Sequence, residues 1–308
     1  MNLTNYHSHS MFCDGRADMA TFARWAKAKE FTAYGYSSHA PLPFPTCWTM
    51  EWDRMDDYLS EFHRLKQVYA GFVELYVALE IDYLNEESHP ASACFQALPL
   101  DYRIGSVHLL YDEKGEVVDG DLPAPKFAKM VLKHFHGDID RVVHHYFERA
   151  NRMLQLGGFD ILGHADKVHY NAEWYRPHIT EEDWYIHLVR THLTEAVRRG
   201  YLIEINTKAY DSLGVFYPDV HYFPFLHELG ARVVVNSDAH YPDLINAGRR
   251  EALQALVRAG FTTVAELHGG EWRGGCLPLR HPPLLQGVFR RLFLQDFVCR
   301  PSRVWGGV

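Results

Sequence analysis

Residues 232–240 read Arg232-Val233-Val234-Val235-Asn236-Ser237-Asp238-Ala239-His240, an apolar run of strand length that leads into an acid and a histidine. Apolar residues at consecutive positions, rather than alternate ones, suit a strand buried on both faces, as in a parallel sheet covered by helices. Beyond it, Leu253, Leu256 and Val257 mark one face of a helix that closes at Gly260. Before it, Tyr185, Leu188, Val189, His192, Leu193, Ala196 and Val197 form a helical stripe ended by Gly200, and a strand follows at Tyr201–Ile205. Strand and helix in alternation, with glycine at the helix ends, is the rhythm of βαβ units.

The same rhythm extends back to the N-terminus. Further strands are predicted at Leu3–His7, Thr32–Ser37, Glu74–Ile81, Tyr102–Val107 and Phe159–Gly163, with Arg232–Asn236 as the seventh. Val143, Tyr146, Phe147, Ala150, Met153 and Leu154 form another helical stripe, ended by Gly157-Gly158. Seven strands alternating with helices predict an α/β fold, a closed or distorted parallel barrel rather than two separate domains. Residues 84–100 and 111–139 are longer irregular insertions, rich in Pro, Gly and charge, read either as lids or pocket walls or as variable surface loops. Near Trp272-Arg273-Gly274-Gly275 the pattern changes to a Pro- and Arg-rich segment. Residues 1–268 are therefore read as the barrel and 269–308 as a C-terminal tail without an assigned role.

Composition sets the function classes to exclude. The chain has 308 residues, 47% hydrophobic and 23% charged, so it can bury a sizeable core. A formal charge of −8 argues against a nucleic-acid partner, because phosphate backbones recruit basic surfaces. No apolar run approaches the roughly 20 residues that span a bilayer, so no membrane partner is expected. The N-terminus lacks the basic and apolar regions of a signal peptide. Cys13, Cys47, Cys94, Cys276 and Cys299 are scattered, which reads as reduced thiols in a cytoplasmic protein.

The chain has 20 histidines, and their placement carries the chemistry. His7 and His9 follow the first strand as H-S-H; at i and i+2 of an extended chain both imidazoles reach one cation. Asp14 lies in the next loop, His39 ends the second strand, and Glu80 lies near the end of the third. His108 and His164 end the fourth and fifth. Glu204 and Asn206 lie toward the end of the sixth, and Asp238 and His240 follow the seventh. In parallel barrels the active site forms at the C-terminal face from the ends of several strands. A single strand-end histidine is weak evidence, whereas strand after strand delivering His, Asp or Glu points to a metal site. Arg249, Lys208 and Lys167 each follow shortly after a strand end and are candidate phosphate contacts.

These segments, from H-S-H through Ser37-Ser38-His39-Ala40-Pro41, Leu79-Glu80-Ile81-Asp82-Tyr83, Gly105-Ser106-Val107-His108, Gly163-His164-Ala165-Asp166-Lys167 and Glu204-Ile205-Asn206-Thr207 to Asn236-Ser237-Asp238-Ala239-His240, resemble the polymerase-and-histidinol-phosphatase (PHP) family. The closer resemblance is to its monofunctional histidinol-phosphatases, from residue 2 to about 268. It implies a distorted (β/α)7 TIM-like barrel with two or three divalent ions. His7, His9, Glu80 and Asp238 would hold the first, and Glu80, as a bridge, with His108 and His164 the second. Asp14, His39 and His240 would hold the third. Mixed N and O ligation suits Zn, Mn or Fe.

The implied activity is hydrolysis of L-histidinol phosphate, a small phosphorylated substrate, in histidine biosynthesis, with Glu80, Asp238 and His240 as catalytic residues. Three divalent ions, the carboxylates of Asp14, Glu80 and Asp238 and a hydroxide leave a formal +2, matched to a phosphate monoester dianion. Glu204 is a candidate neighbour for the substrate ammonium. Rival readings are a PHP phosphoesterase for nucleotide or sugar phosphates, an amidohydrolase, and a non-catalytic module of the polymerase-associated type. The oligomeric state is left open.

Overall fold

The barrel takes its shape from strands whose side chains alternate between an outer and an inner face. In a computed structural model describing residues 3–277, the sheet strands are β1 (Leu3–Asn5), β2 (Phe31–His39), β3 (Glu74–Asp82), β4 (Tyr102–Ser106), β7 (Ile161–Leu162), β8 (Leu202–Asn206) and β9 (Val233–Asn236). They pair in parallel in that order and nearly close into a barrel. Two antiparallel hairpins lie outside the sheet: β5 (Leu109–Tyr111) with β6 (Val117–Asp119), and β10 (Thr263–His268) with β11 (Glu271–Cys276). All seven expected strands are present, with ends shifted by up to two residues.

Inward-facing positions form an apolar plug of Ala33, Tyr76, Ala78, Tyr102, Ile104, Ile161, Leu202 and Val234. Continuing each strand by two residues toward its C-terminal end turns this layer polar: Glu80 follows Ala78, Ser106 follows Ile104, Glu204 follows Leu202 and Asn236 follows Val234. The period of two thus stacks a buried polar floor on an apolar base. Outside, the expected helices form at Ile139–Leu156, Asp183–Arg198 and Arg249–Ala259, and their apolar faces cover the sheet. Each fully buried Phe or Leu there contributes on the order of 1.5–3 kcal/mol.

The seam between β1 and β9 closes mainly through side chains. Beyond the strands, a parallel bridge joins Ser8 to Ala239, with His9 N donating to the Ala239 carbonyl at 2.9 Å. Tyr6 N donates to Asn236 Oδ1 at 2.8 Å, and Ser237 N donates to Asn5 Oδ1 at 2.7 Å. The Arg249 guanidinium donates to the carbonyls of Thr4, at 2.7 Å, and Val235, at 2.9 Å, and is buried. The reading of Arg249 as a phosphate contact is corrected here: its donors bind the two strands of the seam.

The tail boundary also changes. A division at residue 268 falls in the turn of the β10–β11 hairpin, which packs under the apolar plug. Leu267 N donates to Tyr6 Oη at 2.7 Å, and the Trp272 ring meets Tyr6 edge-on with centroids 5.1 Å apart. Residues 278–308 of the expected tail lie outside the described residues. The insertion at 111–139 is more regular than expected, holding part of the β5–β6 hairpin and a helix at Ala124–His134.

Candidate metal centre and its cleft

The strand ends bring six imidazoles and three carboxylates together around Glu80. His39 Nδ1 lies 2.9 Å and His7 Nε2 3.2 Å from Glu80 Oε2; His164 Nε2 lies 2.8 Å and His108 Nε2 3.5 Å from Oε1. On the far side, Asp238 Oδ1 is 3.0 Å from His9 Nε2 and 3.5 Å from His240 Nδ1, and Asp14 Oδ1 is 3.3 Å from His240 Nε2. All nine expected ligands therefore converge. Two of them, His164 and Asp238, have positive φ values of 23° and 47°, a strained backbone that turns each side chain inward.

Whether this donor set fits cations is decided by its unused atoms. His7 Nε2, His9 Nε2, His39 Nδ1, Asp14 Oδ1 and Glu80 Oε2 are buried and without hydrogen-bond partners. Orphaned buried polar atoms are costly, and here they crowd one another. Three sets lie close enough to share an ion: His7, His9 and Glu80; His39, Glu80 and His108; and His9, Asp14, His39 and His240. Mixed imidazole and carboxylate donors of this density fit divalent cations. The grouping differs in detail from the one implied by resemblance, because His39 stands between Glu80 and Asp14 and joins two of the sets.

A second layer orients these groups. Glu204, fully buried, lies 2.7 Å from His7 Nδ1, and its other oxygen accepts the His164 N–H at 2.8 Å. Glu204 faces the barrel interior, so its candidacy as the substrate's ammonium partner is set aside. Asp82 accepts the His108 N–H at 2.8 Å, with its oxygens 3.0 and 3.1 Å from His108 Nδ1. With Nδ1 held by a carboxylate, each imidazole presents Nε2 on the Glu80 side of the centre, where a bound cation would take it as a ligand. Ser106 Oγ donates to Glu80 Oε1 at 2.7 Å. The signal for Asp82 and Glu204 was present in Glu80-x-Asp82 and Glu204-x-Asn206, where i and i+2 share a strand face.

Electrostatics follow from the crowding. Burial opposes charge on Glu80, but His7, His39 and His108 hold its carboxyl well below the usual range. Burial likewise opposes charge on Asp238, and Lys208 and His7 prevail. His108, despite burial, is pushed up to about 10 by Asp82 and Glu80. His9 is driven down by burial and by His240 and His39 beside it.

The centre opens into a cleft lined by Asp14, His39, His108 and His240, together with Trp48, Asp119, Asp121 and Lys208. Trp48 stands edge-on to His39, with centroids 4.8 Å apart. Lys208 Nζ lies 3.2 Å from Asp238 Oδ1 and 3.5 Å from His240 Nε2. Lys167, the third expected phosphate contact, sits behind this wall with Nζ 3.2 Å from Asp121 Oδ1. Trp48, Asp119 and Asp121 carried no recognisable signal, because they come from loops and the β6 hairpin strand rather than barrel strand ends.

The family model described as "PHP domain" matches residues 5–208. A curated relative from Schizosaccharomyces pombe, described as "Probable histidinol-phosphatase", is 23% identical over 281 residues, covering 86% of this chain and 89% of the relative. The solved structure of hisK from Listeria monocytogenes superposes with a TM-score of 0.72 at 21% identity, over 80% of this chain and 99% of that one. The histidinol phosphate phosphatase of Lactococcus lactis, solved with zinc, L-histidinol and phosphate, gives a TM-score of 0.66 at 18% identity, over 88% of this chain and 98% of that one.

Proposed function

This chain belongs to the PHP domain family, and from that premise we propose that it is a metal-dependent phosphomonoesterase that hydrolyses L-histidinol phosphate to L-histidinol and phosphate, a step of histidine biosynthesis. The observation that carries this reading is the set of orphaned imidazole and carboxylate atoms converging on Glu80 at the barrel's C-terminal end. The curated relative matched over most of both chains and the Lactococcus lactis protein holding zinc, L-histidinol and phosphate support the choice of substrate.

His7, His9, Asp14, His39, Glu80, His108, His164, Asp238 and His240 would hold the cations. When bound, divalent ions polarise the phosphoryl oxygens and lower the pKa of a water toward neutrality. The rest is supplied by the chain. Glu204 and Asp82 fix the tautomers of His7 and His108. Lys208, partly exposed on the cleft, offers its ammonium to a phosphate oxygen. Lys167 neutralises Asp121, which would otherwise repel the dianion. Trp48 provides an apolar wall for the part of the substrate that leaves with the alcohol oxygen. A cytoplasmic setting fits the free thiols of Cys13, Cys47 and Cys94.

The test is a panel of phosphomonoesters assayed side by side with metal-loaded protein, following products by phosphorus NMR. L-histidinol phosphate is expected to show the highest kcat/KM. A nucleotide or sugar phosphate preferred over it would keep the phosphoesterase chemistry and overturn the substrate.

A further inference from the structure

The cleft carries charge of both signs. Its lining joins the metal centre and the Lys208 ammonium to the carboxylates of Asp119 and Asp121. Placing carboxylates where a phosphate dianion must enter is unfavourable unless the ligand also carries a positive charge.

The two acids are not equivalent. Asp121 is 3.2 Å from the Lys167 ammonium. Asp119 has no lysine or arginine partner among the described residues; Asp119 Oδ1 accepts the Asp121 N–H at 2.8 Å. Burial raises the Asp119 carboxyl's pKa and outweighs that hydrogen bond, as expected for an acid without a paired cation. Its position is rigidly tied to the metal centre. In the β5–β6 ladder Asp119 pairs with Leu109, the residue after His108, and Gly120 N donates to the His108 carbonyl at 2.7 Å. A ligand whose phosphate sits at the cluster therefore places a group a few bonds away within reach of Asp119.

Resting on the phosphomonoesterase reading above, we propose that Asp119 is a specificity residue that binds the ammonium of a phosphate monoester whose amine lies two carbons from the ester oxygen. L-histidinol phosphate has that arrangement, its ammonium being charged throughout the neutral range. The imidazole, largely neutral above its pKa, then lies toward Trp48. The hairpin insertion thus selects aminoalkyl phosphates from other phosphomonoesters entering the same centre.

The experiment compares O-phosphoethanolamine with ethyl phosphate, a pair differing by the ammonium alone, on metal-loaded wild-type protein and Asp119→Asn, with L-histidinol phosphate run alongside. The wild type is expected to favour O-phosphoethanolamine roughly 10–100-fold in kcat/KM, the range of a charge-assisted hydrogen bond. Asp119→Asn should abolish most of that preference by raising KM for O-phosphoethanolamine, while KM for ethyl phosphate, a dianion with no ammonium to engage the carboxylate, stays within about twofold or falls as a repelling charge is removed. Asp119→Glu should recover part of it. A preference unchanged in Asp119→Asn, an equal loss on both substrates, or a wild type indifferent to the ammonium overturns the role of Asp119. A wild type with the Asp119-dependent preference but no turnover of L-histidinol phosphate would retain this inference and reject the histidinol phosphate reading.

Discussion

Glu204 Oε1 lies 2.7 Å from His7 Nδ1, both side chains completely buried, and the other Glu204 oxygen accepts the backbone N–H of His164. One carboxylate on β8 thus sets the tautomer of an imidazole after β1 and the backbone position of another after β7. The candidate metal ligands are held from beneath by a buried carboxylate.

Replacing Glu204 by Gln tests that support. The amide offers an N–H where His7 Nδ1 needs an acceptor, so the ring's proton shifts toward Nε2 and blocks the lone pair. Metal affinity is expected to fall by roughly 10–100-fold, measured by competition with a chromogenic chelator. Circular dichroism should remain that of the wild type. Unchanged affinity would reduce Glu204 to a packing role.

Arg249→Ala separates structure from chemistry. Removing the guanidinium leaves buried carbonyls of Thr4 and Val235 without these donors. Unfolding free energy should drop by about 2–4 kcal/mol, read from urea denaturation of the metal-loaded protein. At a temperature where the variant remains folded, its kcat/KM should match the wild type. Activity lost without stability lost would restore the phosphate-contact role.

His192 predicts an acid-sensitive contribution far from the centre. Burial lowers its pKa to about 4, and its Nδ1 pairs with Asn151 Oδ1 at 2.8 Å. The unfolded chain protonates this ring near its ordinary value of about 6.5 while the folded chain does not. Stability contributed above that pH is therefore lost as pH falls from about 6.5 to about 4, by up to about 3 kcal/mol. Denaturation midpoints of wild type and His192→Gln at pH 7 and pH 5 provide the check. The wild type should lose more stability across that interval, and equal losses would contradict the assignment.

Trp272→Ala tests whether the last hairpin belongs to the barrel. The ring packs edge-on to Tyr6 and Tyr102 beneath the apolar plug. Its loss should cost about 2–4 kcal/mol of stability. A variant as stable as the wild type would make the hairpin an appendage.

Residues that chemistry places at strand ends were largely legible in the sequence; residues that act through their neighbours were not. His7, His9, His39, His108 and His164 stood out because a parallel barrel repeats one functional position per strand. The period of two revealed buried strands, but it could not say whether Glu204 faces a ligand or a histidine. Arg249 follows a strand end as a phosphate-binding residue would, yet its side chain enters the seam because β1 is too short to close the barrel by backbone pairing alone. The β10–β11 hairpin escaped notice because Trp272-Arg273-Gly274-Gly275 has weak strand propensity and gains its order from packing on Tyr6. Asp119 and Trp48 lie in segments whose position depends on tertiary contacts.

The central claim, that the cluster around Glu80 is a metal centre that hydrolyses phosphate esters, meets its most direct test in a metal titration of phosphate release. Protein stripped with a chelator is assayed on L-histidinol phosphate while Zn or Mn is added back, with bound metal counted on the same samples. Release should be absent without metal and rise with occupancy to a plateau at two or three ions per chain, with Glu80→Gln remaining near baseline while still folded. Full release from metal-free protein, or metal bound at that stoichiometry with no phosphoester hydrolysed, would contradict the account.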